Sequence, residues 1–445
     1  MKFLRGLFIV ILVVTLGLAA YVGFTWDEND YASVSTPAPT GCVGSSPTNH
    51  PTPTSVPTEI PTVAPTEVPT PTPTPAPVTV NLAVLGDLVM HMEMYDQGYD
   101  KASDTYDFSY ILKDVKNILS DADYAMACIE TTFNGTKDYQ GYPYFISPER
   151  LAYNLKDAGI DFLNTANNHS LDSGYAGLVN TLKVLDQAGI EHNGTFDSQE
   201  GYDDPVVVVD IDGISIAVVA MTYNTNWHRV DQTYAVNYFT VDWKREGVTP
   251  DYERIDYCLA RAKEKNADLI AFYMHWGTEY DIKGNSMQKA VADYLFDHGV
   301  TLVLGGHAHV PQPLEYRTVT YEDGSTGTGV LSYCLGNFLS SMNYEYAYST
   351  AALNITLTKP YGGKAVVENV NYVPLYMYDA YDNSDWSGKY PRYQLVDIHR
   401  ALDAYESGDI ADYPYMSDVV VKSLNKSLSE LHKILGEEFD YRYTE

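Results

Sequence analysis

From Thr79 to Leu357, short apolar runs of strand length alternate with segments of helical period, and this alternation restricts the chain to an α/β fold. The run "VTVNLAVLG" precedes "DFSYILKDVKNILS", whose Phe108, Ile111, Leu112, Val115 and Leu119 share one helical side. Strands "DYAMACIE" and "DFLNTA" flank the helix "PERLAYNLKDAG", and "GYAGLVNTLKVLDQAG" is the next helix. "PVVVVDI" and "ISIAVVAMTY" read as strands around an Asp212-Gly213 turn. Helix "DYERIDYCLARAKEKN" leads to strand "ADLIAFYMH" and helix "SMQKAVADYLFDHG" to strand "VTLVLGGH"; strands "GVLSYCLGNF" and "TAALNITL" follow. The order predicts βαβ units, a largely buried sheet with helices outside, and mixed strand directions where hairpin-like pairs occur. No internal repeat is evident.

The polar residues at the strand ends narrow the chemistry. They are Asp87 and His91 in "LGDLVMH", Glu130 in "CIETTF", and Asn167, Asn168, His169 and Asp172 in "NTANNHSLDSG". Further on come His275 and Glu279 in "MHWGTEY", then His307, His309 and Gln312 in "GGHAHVPQ". Open α/β sheets bind ligands at the carboxyl ends of their strands, where the loops converge. Each motif has a plain structural reading: a Gly-Asp turn, a helix cap at Asn-Asn-His, a core histidine at His275. Their recurrence at equivalent places favours a site. Carboxylate, carboxamide and imidazole groups suit Mn, Fe, Zn or a related divalent ion rather than thiolate chemistry. None of the four cysteines forms a Cys-x-x-Cys pair. Cys128 and Cys334 lie in apolar runs and read as buried hydrophobes rather than a disulfide.

With 59 acidic against 28 basic side chains, the formal net charge is −31. That balance excludes nucleic acid as a partner and argues against tight contact with anionic headgroups, because both need clustered Lys and Arg. An acidic surface fits a domain that avoids sticking, or one that gathers divalent cations.

Lys2 and Arg5 precede a charge-free stretch from Gly6 to Phe24, and Asp27, Glu28 and Asp30 follow it. The expectation is a transmembrane anchor over residues 1–26, basic end inside, with the rest of the chain outside the cell membrane in a single pass. A signal peptide cut near Ala19 and Ala20 is the rival. Residues 27–78 form a Pro/Thr-rich linker without a core, and Thr36–Pro77 alone holds 13 of the 23 prolines. Extended as polyproline II it would span on the order of 100 Å. The folded domain is expected over 79–378, and 379–445 as a Tyr/Asp-rich extension. Its one clear helix carries Leu424, Leu428, Leu431 and Leu435 at helical spacing. That helix either packs back on the domain or binds a partner.

The order Asp, Glu, Asn-His, His, Gly-His-x-His resembles the calcineurin-like metallophosphatase superfamily. The strings "GD-x-x-M-H", "ANNH-x-x-D-x-G", "HWG-x-E-Y" and "G-x-H-x-H-x-x-Q" resemble the CapA-type family of capsule and poly-γ-glutamate synthesis, over roughly Val80 to Phe338. The resemblance implies a four-layer α/β sandwich with mixed sheets around one or two divalent ions. It implies Asp87 and His309 on a first metal, Asn168, His275 and His307 on a second, and Glu130 between them. His169 would be the general acid, oriented by Asp172. Two departures stand out. Val89 occupies the place of the usual first-strand His, with His91 two residues on, and Glu130 replaces a shorter Asp. Two functions follow. One is an extracytoplasmic metal-dependent hydrolase of a phosphoester or amide bond in a cell-wall or capsular polymer. The other is a non-catalytic accessory subunit of a membrane polymer synthase or exporter.

Overall fold

The computed structural model describes residues 75–226, 228–241 and 249–444. The anchor expected over 1–26, and the linker as far as residue 74, lie outside the described residues, as does Cys42. Among the described residues no helix is long and apolar enough to cross a membrane. The described residues gather into one compact unit.

Two mixed sheets face each other. In the first, Val78–Leu88 runs parallel to Tyr124–Ile129, which continues in parallel to Phe162–Asn164 and Glu191–Asn193. On its other side the long strands Ser349–Lys359 and Val366–Asp379, then Tyr393–Asp397, add antiparallel. In the second sheet Ile214–Thr222, Leu269–His275, Leu302–Gly306 and Thr326–Ser332 are parallel. Antiparallel edges close it at Val207–Ile211 and Leu314–Thr320.

The first strand shows why its run is continuously apolar. Leu82 and Val84 face the second sheet and pack with Ile216, Val218, Ala271 and Leu302. Ala83 and Leu85 face the other way, onto Leu151 and Leu155 of the helix Arg150–Ala158 and Leu185 of Gly174–Ala188. A strand buried on both faces loses polar alternation. The second sheet repeats the arrangement, with Ala217, Val219 and Phe272 covered by the helices Tyr252–Glu264 and Ser286–Asp297. The result is helix, sheet, sheet, helix. The helix Ser286–Asp297 begins on a reciprocal cap, in which Asn285 accepts from the Gln288 backbone and the Gln288 side chain accepts from the Asn285 N–H.

Two segments depart from simple periodicity. The run 329–338, expected as one strand, is two: Thr326–Ser332 ends in the second sheet, and Asn337–Leu339 pairs with the first strand of the other sheet. The chain crosses at Gly336, whose φ of 84° suits a residue without Cβ. Both halves are buried, so no change in polarity marks the crossing. The stretch 379–445 enters the first sheet through Tyr393–Asp397. Its helix Asp418–Leu435 packs Val420, Leu424 and Leu431 into the core between the sheets. Cys128, Cys258 and Cys334 are buried free thiols.

Candidate metal centre

The carboxyl ends of the parallel strands from both sheets meet at one buried place. Asp87 closes the first strand, Glu130 follows Tyr124–Ile129, and Asn168 and His169 lie in the loop after Phe162–Asn164. His275 ends its strand in the second sheet, and His307 and His309 follow Leu302–Gly306. All seven are buried.

Asp87 accepts the backbone N–H of His307 through Oδ2 at 2.6 Å, while Oδ1 takes no hydrogen bond. That approach requires Gly306, since a Cβ there would lie 2.3 Å from Asp87 Oδ1. His307 and His309 hold φ values of 92° and 59°, a region that side chains other than glycine seldom adopt. Strain of this kind survives where the surroundings fix the chain, and it is common at functional sites.

Ligand atoms of Asp87, Glu130 and His309 lie within 4.8 Å of one another, and so do those of Glu130, His275 and His307. Glu130 therefore belongs to both groups. His275 Nε2 stands 3.4 Å from Glu130 Oε1, and His309 Nδ1 3.8 Å from Oε2. Asn168 joins the second group through Oδ1, 2.7 Å from His275 Nε2.

Burial pushes the Asp87 carboxyl above its ordinary range, against the pull of His275. Burial acts on Glu130 in the same direction, but the imidazoles of His309 and His275 together hold its carboxyl well below the usual range. For His307, burial and then the neighbouring His275 and His309 keep the ring neutral well below the ordinary 6.5. Neither oxygen of Glu130 and neither Asp87 Oδ1 nor His307 Nδ1 has a hydrogen-bond partner. Buried carboxylates cost several kcal/mol unless paired or bound to a cation. These orphaned O and N atoms therefore fit a divalent ion, and Glu130 belongs to both groups.

His169 stands beside the ligands without joining either group. Its Nδ1 lies 2.7 Å from Asp172 Oδ2, and Phe145 meets its ring edge-on at 4.6 Å. Burial works against a proton on His169, yet the Asp172 hydrogen bond and charge win and raise its pKa. Asp172 is itself fixed by the Phe145 N–H at 2.6 Å. His91 packs edge-on against Phe145, ring centroids 5.1 Å apart, and belongs to neither ligand group. Burial lowers its pKa. Asn167 builds the loop, donating to the Ile129 carbonyl and accepting the His169 N–H. Gln312 accepts from Gln288 and donates to the Asp281 carbonyl, so it braces the loop that ends in the capped helix.

Two asparagines at the site were not singled out from the sequence. Asn337 Oδ1 lies 2.9 Å from His309 Nδ1, which leaves Nε2 of that ring for a ligand bond. Asn226 accepts from Asn168 Nδ2 at 3.4 Å and places its own Nδ2 3.3 Å from His169 Nε2. Asn337 also follows an apolar run, in Gly-Asn-Phe, so the strand-end rule could have found it. Asn226 lies in an aperiodic loop that offers no such signal.

The family model described as "Bacterial capsule synthesis protein PGA_cap" matches residues 81–342. The chain is 26% identical over 272 residues to the capsule biosynthesis protein CapA of Bacillus anthracis, covering 60% of this chain and 61% of that protein. It is 26% identical over 217 residues to the PGA biosynthesis protein CapA of Bacillus subtilis (strain 168), covering 49% and 52%. The match therefore spans only about half to three fifths of those relatives. Among solved structures, the calcineurin-like phosphoesterase YfkN of Bacillus subtilis aligns over 67% of this chain and 91% of its own, at 13% identity and a TM-score of 0.39.

Proposed function

This chain belongs to the bacterial capsule synthesis family whose model it matches, and on that premise we propose that it is a divalent-metal-dependent hydrolase acting on a capsular or cell-wall polymer outside the membrane. The observation that supports the chemistry is the set of buried, unbonded atoms at one place: Asp87 Oδ1, both oxygens of Glu130 and His307 Nδ1. Asp87 and His309 would hold one ion, and Asn168, His275 and His307 a second, with Glu130 reaching both. When bound, such ions supply Lewis acidity at the bond to be cleaved.

The protein's own groups account for the rest. Asp172 holds Nδ1 of His169, so Nε2, the nitrogen facing Asn226, is the one left to exchange a proton with a bound substrate. Against burial, the Asp172 hydrogen bond and charge raise the His169 pKa and so favour the protonated form that a general acid needs. Asn337 orients His309, and the strained turn at His307 carries its backbone N–H to Asp87. The charge-free stretch Gly6–Phe24 behind Lys2 and Arg5 supports a single-pass anchor with the domain outside. The neighbouring machinery would be subunits of a polymer synthase.

The second reading, a non-catalytic accessory subunit, is favoured by Val89, a buried valine where related phosphoesterases carry a histidine. Metal analysis of the purified chain, paired with phosphodiester and amide hydrolysis assays, separates the two. Bound metal with turnover supports the hydrolase; a chain with neither is an accessory protein.

A further inference from the structure

Glu279 is exposed, belongs to neither ligand set above, and still faces the centre. A carboxylate oxygen of Glu279 lies within 4.8 Å of imidazole nitrogens of His307 and His309. Its position is held by its neighbours: the Tyr280 N–H donates to the Ala308 carbonyl at 2.8 Å, which ties the segment to the Gly-His-x-His loop. Gly277, at φ 100°, passes so close to Gln288 that a Cβ would lie 2.8 Å from its Nε2. No hydrogen bond or ion pair to another described residue engages the Glu279 carboxylate.

Glu279 also lines a cavity of about 720 Å³ together with Tyr223, Thr278, Tyr280 and His307. His307 is only 2% exposed, and its Nδ1 has no partner. The described residues lining this cavity include no lysine or arginine. Glu279 is the one carboxylate among the described residues lining this cavity, and it stands beside His307 there. A phosphate monoester brings two negative charges to that face, whereas an amide or ester brings none.

We propose that Glu279 is a specificity-determining residue that turns the centre away from phosphate monoesters and toward an uncharged acyl bond, an amide or ester of the polymer. This rests on the metal-centre reading above and names its substrate class. In amide hydrolysis the carbonyl carbon gains the water oxygen and the C–N bond breaks. The leaving nitrogen takes one proton from the site, one proton of the attacking water replaces it, and the water's other proton is released when the new carboxyl group ionises. No oxidant or reductant is needed, and His169 is placed to give the first proton.

The test compares the metal-loaded full chain with its Glu279→Gln and Glu279→Asp variants. It measures metal content and the binding of inorganic phosphate and of acetamide, a neutral amide, at low salt, where charge effects are least screened. Glu279→Gln should keep its metal and bind phosphate at least about tenfold more tightly, the scale of a carboxylate–dianion repulsion at close range. Its affinity for acetamide should change less than about threefold, because that probe is uncharged, and Glu279→Asp should resemble the parent, because the carboxylate charge is retained. Unchanged phosphate binding with metal intact overturns this assignment alone. Loss of metal from Glu279→Gln overturns it too, by making Glu279 a ligand. A parent chain that holds no metal overturns the metal-centre reading, and this inference with it.

Discussion

His169 and Asn168 are adjacent in the chain but face different tasks. Asn168 Oδ1 points at His275 Nε2 among the ligand atoms, while His169 is turned onto Asp172. His169→Ala should then cost roughly 10²–10⁴ in turnover with metal content nearly intact. Asn168→Ala should lose metal first. Full turnover in His169→Ala would end the general-acid assignment. The pKa of His169 is raised above 6.5, so activity that needs its proton is present at lower pH and falls as pH rises through the raised value. Asp172→Asn should move that alkaline limb to lower pH, a shift that a purely structural role would not produce. For the ligands, His307→Ala and His309→Ala should each weaken metal binding at least about tenfold, since loss of even an outer partner costs that much. Metal content unchanged in both would remove the Gly-His-x-His turn from the site. These residue types were legible because each follows a strand. The pairing of Asn337 with His309 was not, because 28 positions separate them and only the fold brings them together.

The crossing between the sheets depends on one short element. Gly336 takes a left-handed φ, and a Cβ there would lie 2.7 Å from the Ser349 carbonyl oxygen, which is backbone and cannot swing aside. Gly336→Ala should therefore destabilise the fold by about 1–3 kcal/mol, and it should loosen His309 through the adjacent Asn337. A melting temperature equal to the parent's would show that the turn has room to relax. The helix Asp418–Leu435 poses the complementary case. Leu424 and Leu431 are fully buried, so Leu424→Ala or Leu431→Ala should cost about 2–5 kcal/mol in chemical denaturation. The leucine spacing made the helix readable. Where it docks was open, because an apolar stripe fits a partner as well as a home sheet; the long strands Ser349–Lys359 and Val366–Asp379 decide it.

At the scale of the molecule, the C-terminal residues are part of the closure of the domain. Asp440 is buried between His399 Nε2 and His432 Nε2, each 2.8 Å from its Oδ2, and Tyr372 receives the Tyr441 N–H. Burial would raise the Asp440 pKa, but the two imidazoles outweigh it and hold it below the ordinary 3.8. A carboxyl depressed in the folded state stabilises above the unfolded value. That contribution is lost as pH falls through the lower folded one. The parent should thus lose stability below about pH 4, where the unfolded carboxyl begins to take up protons, and Asp440→Asn should be less stable at neutral pH with a flatter acid limb. Identical pH profiles of melting temperature for the two proteins would contradict this.

The sequence by itself determined the α/β class, the helices and most strands, and the residue types at the strand ends. Those features rest on local period and on a rule about where α/β loops converge. It also carried the family resemblance, in motifs short enough to read without a fold. Only the tertiary structure decided that the run 329–338 divides between two sheets and that Asn226 and Asn337 brace the two histidines. It also decided that 379–445 completes the first sheet. Each of these depends on contacts between segments far apart in the chain. Burial on both faces removes the polar alternation that would otherwise have marked such segments in the sequence.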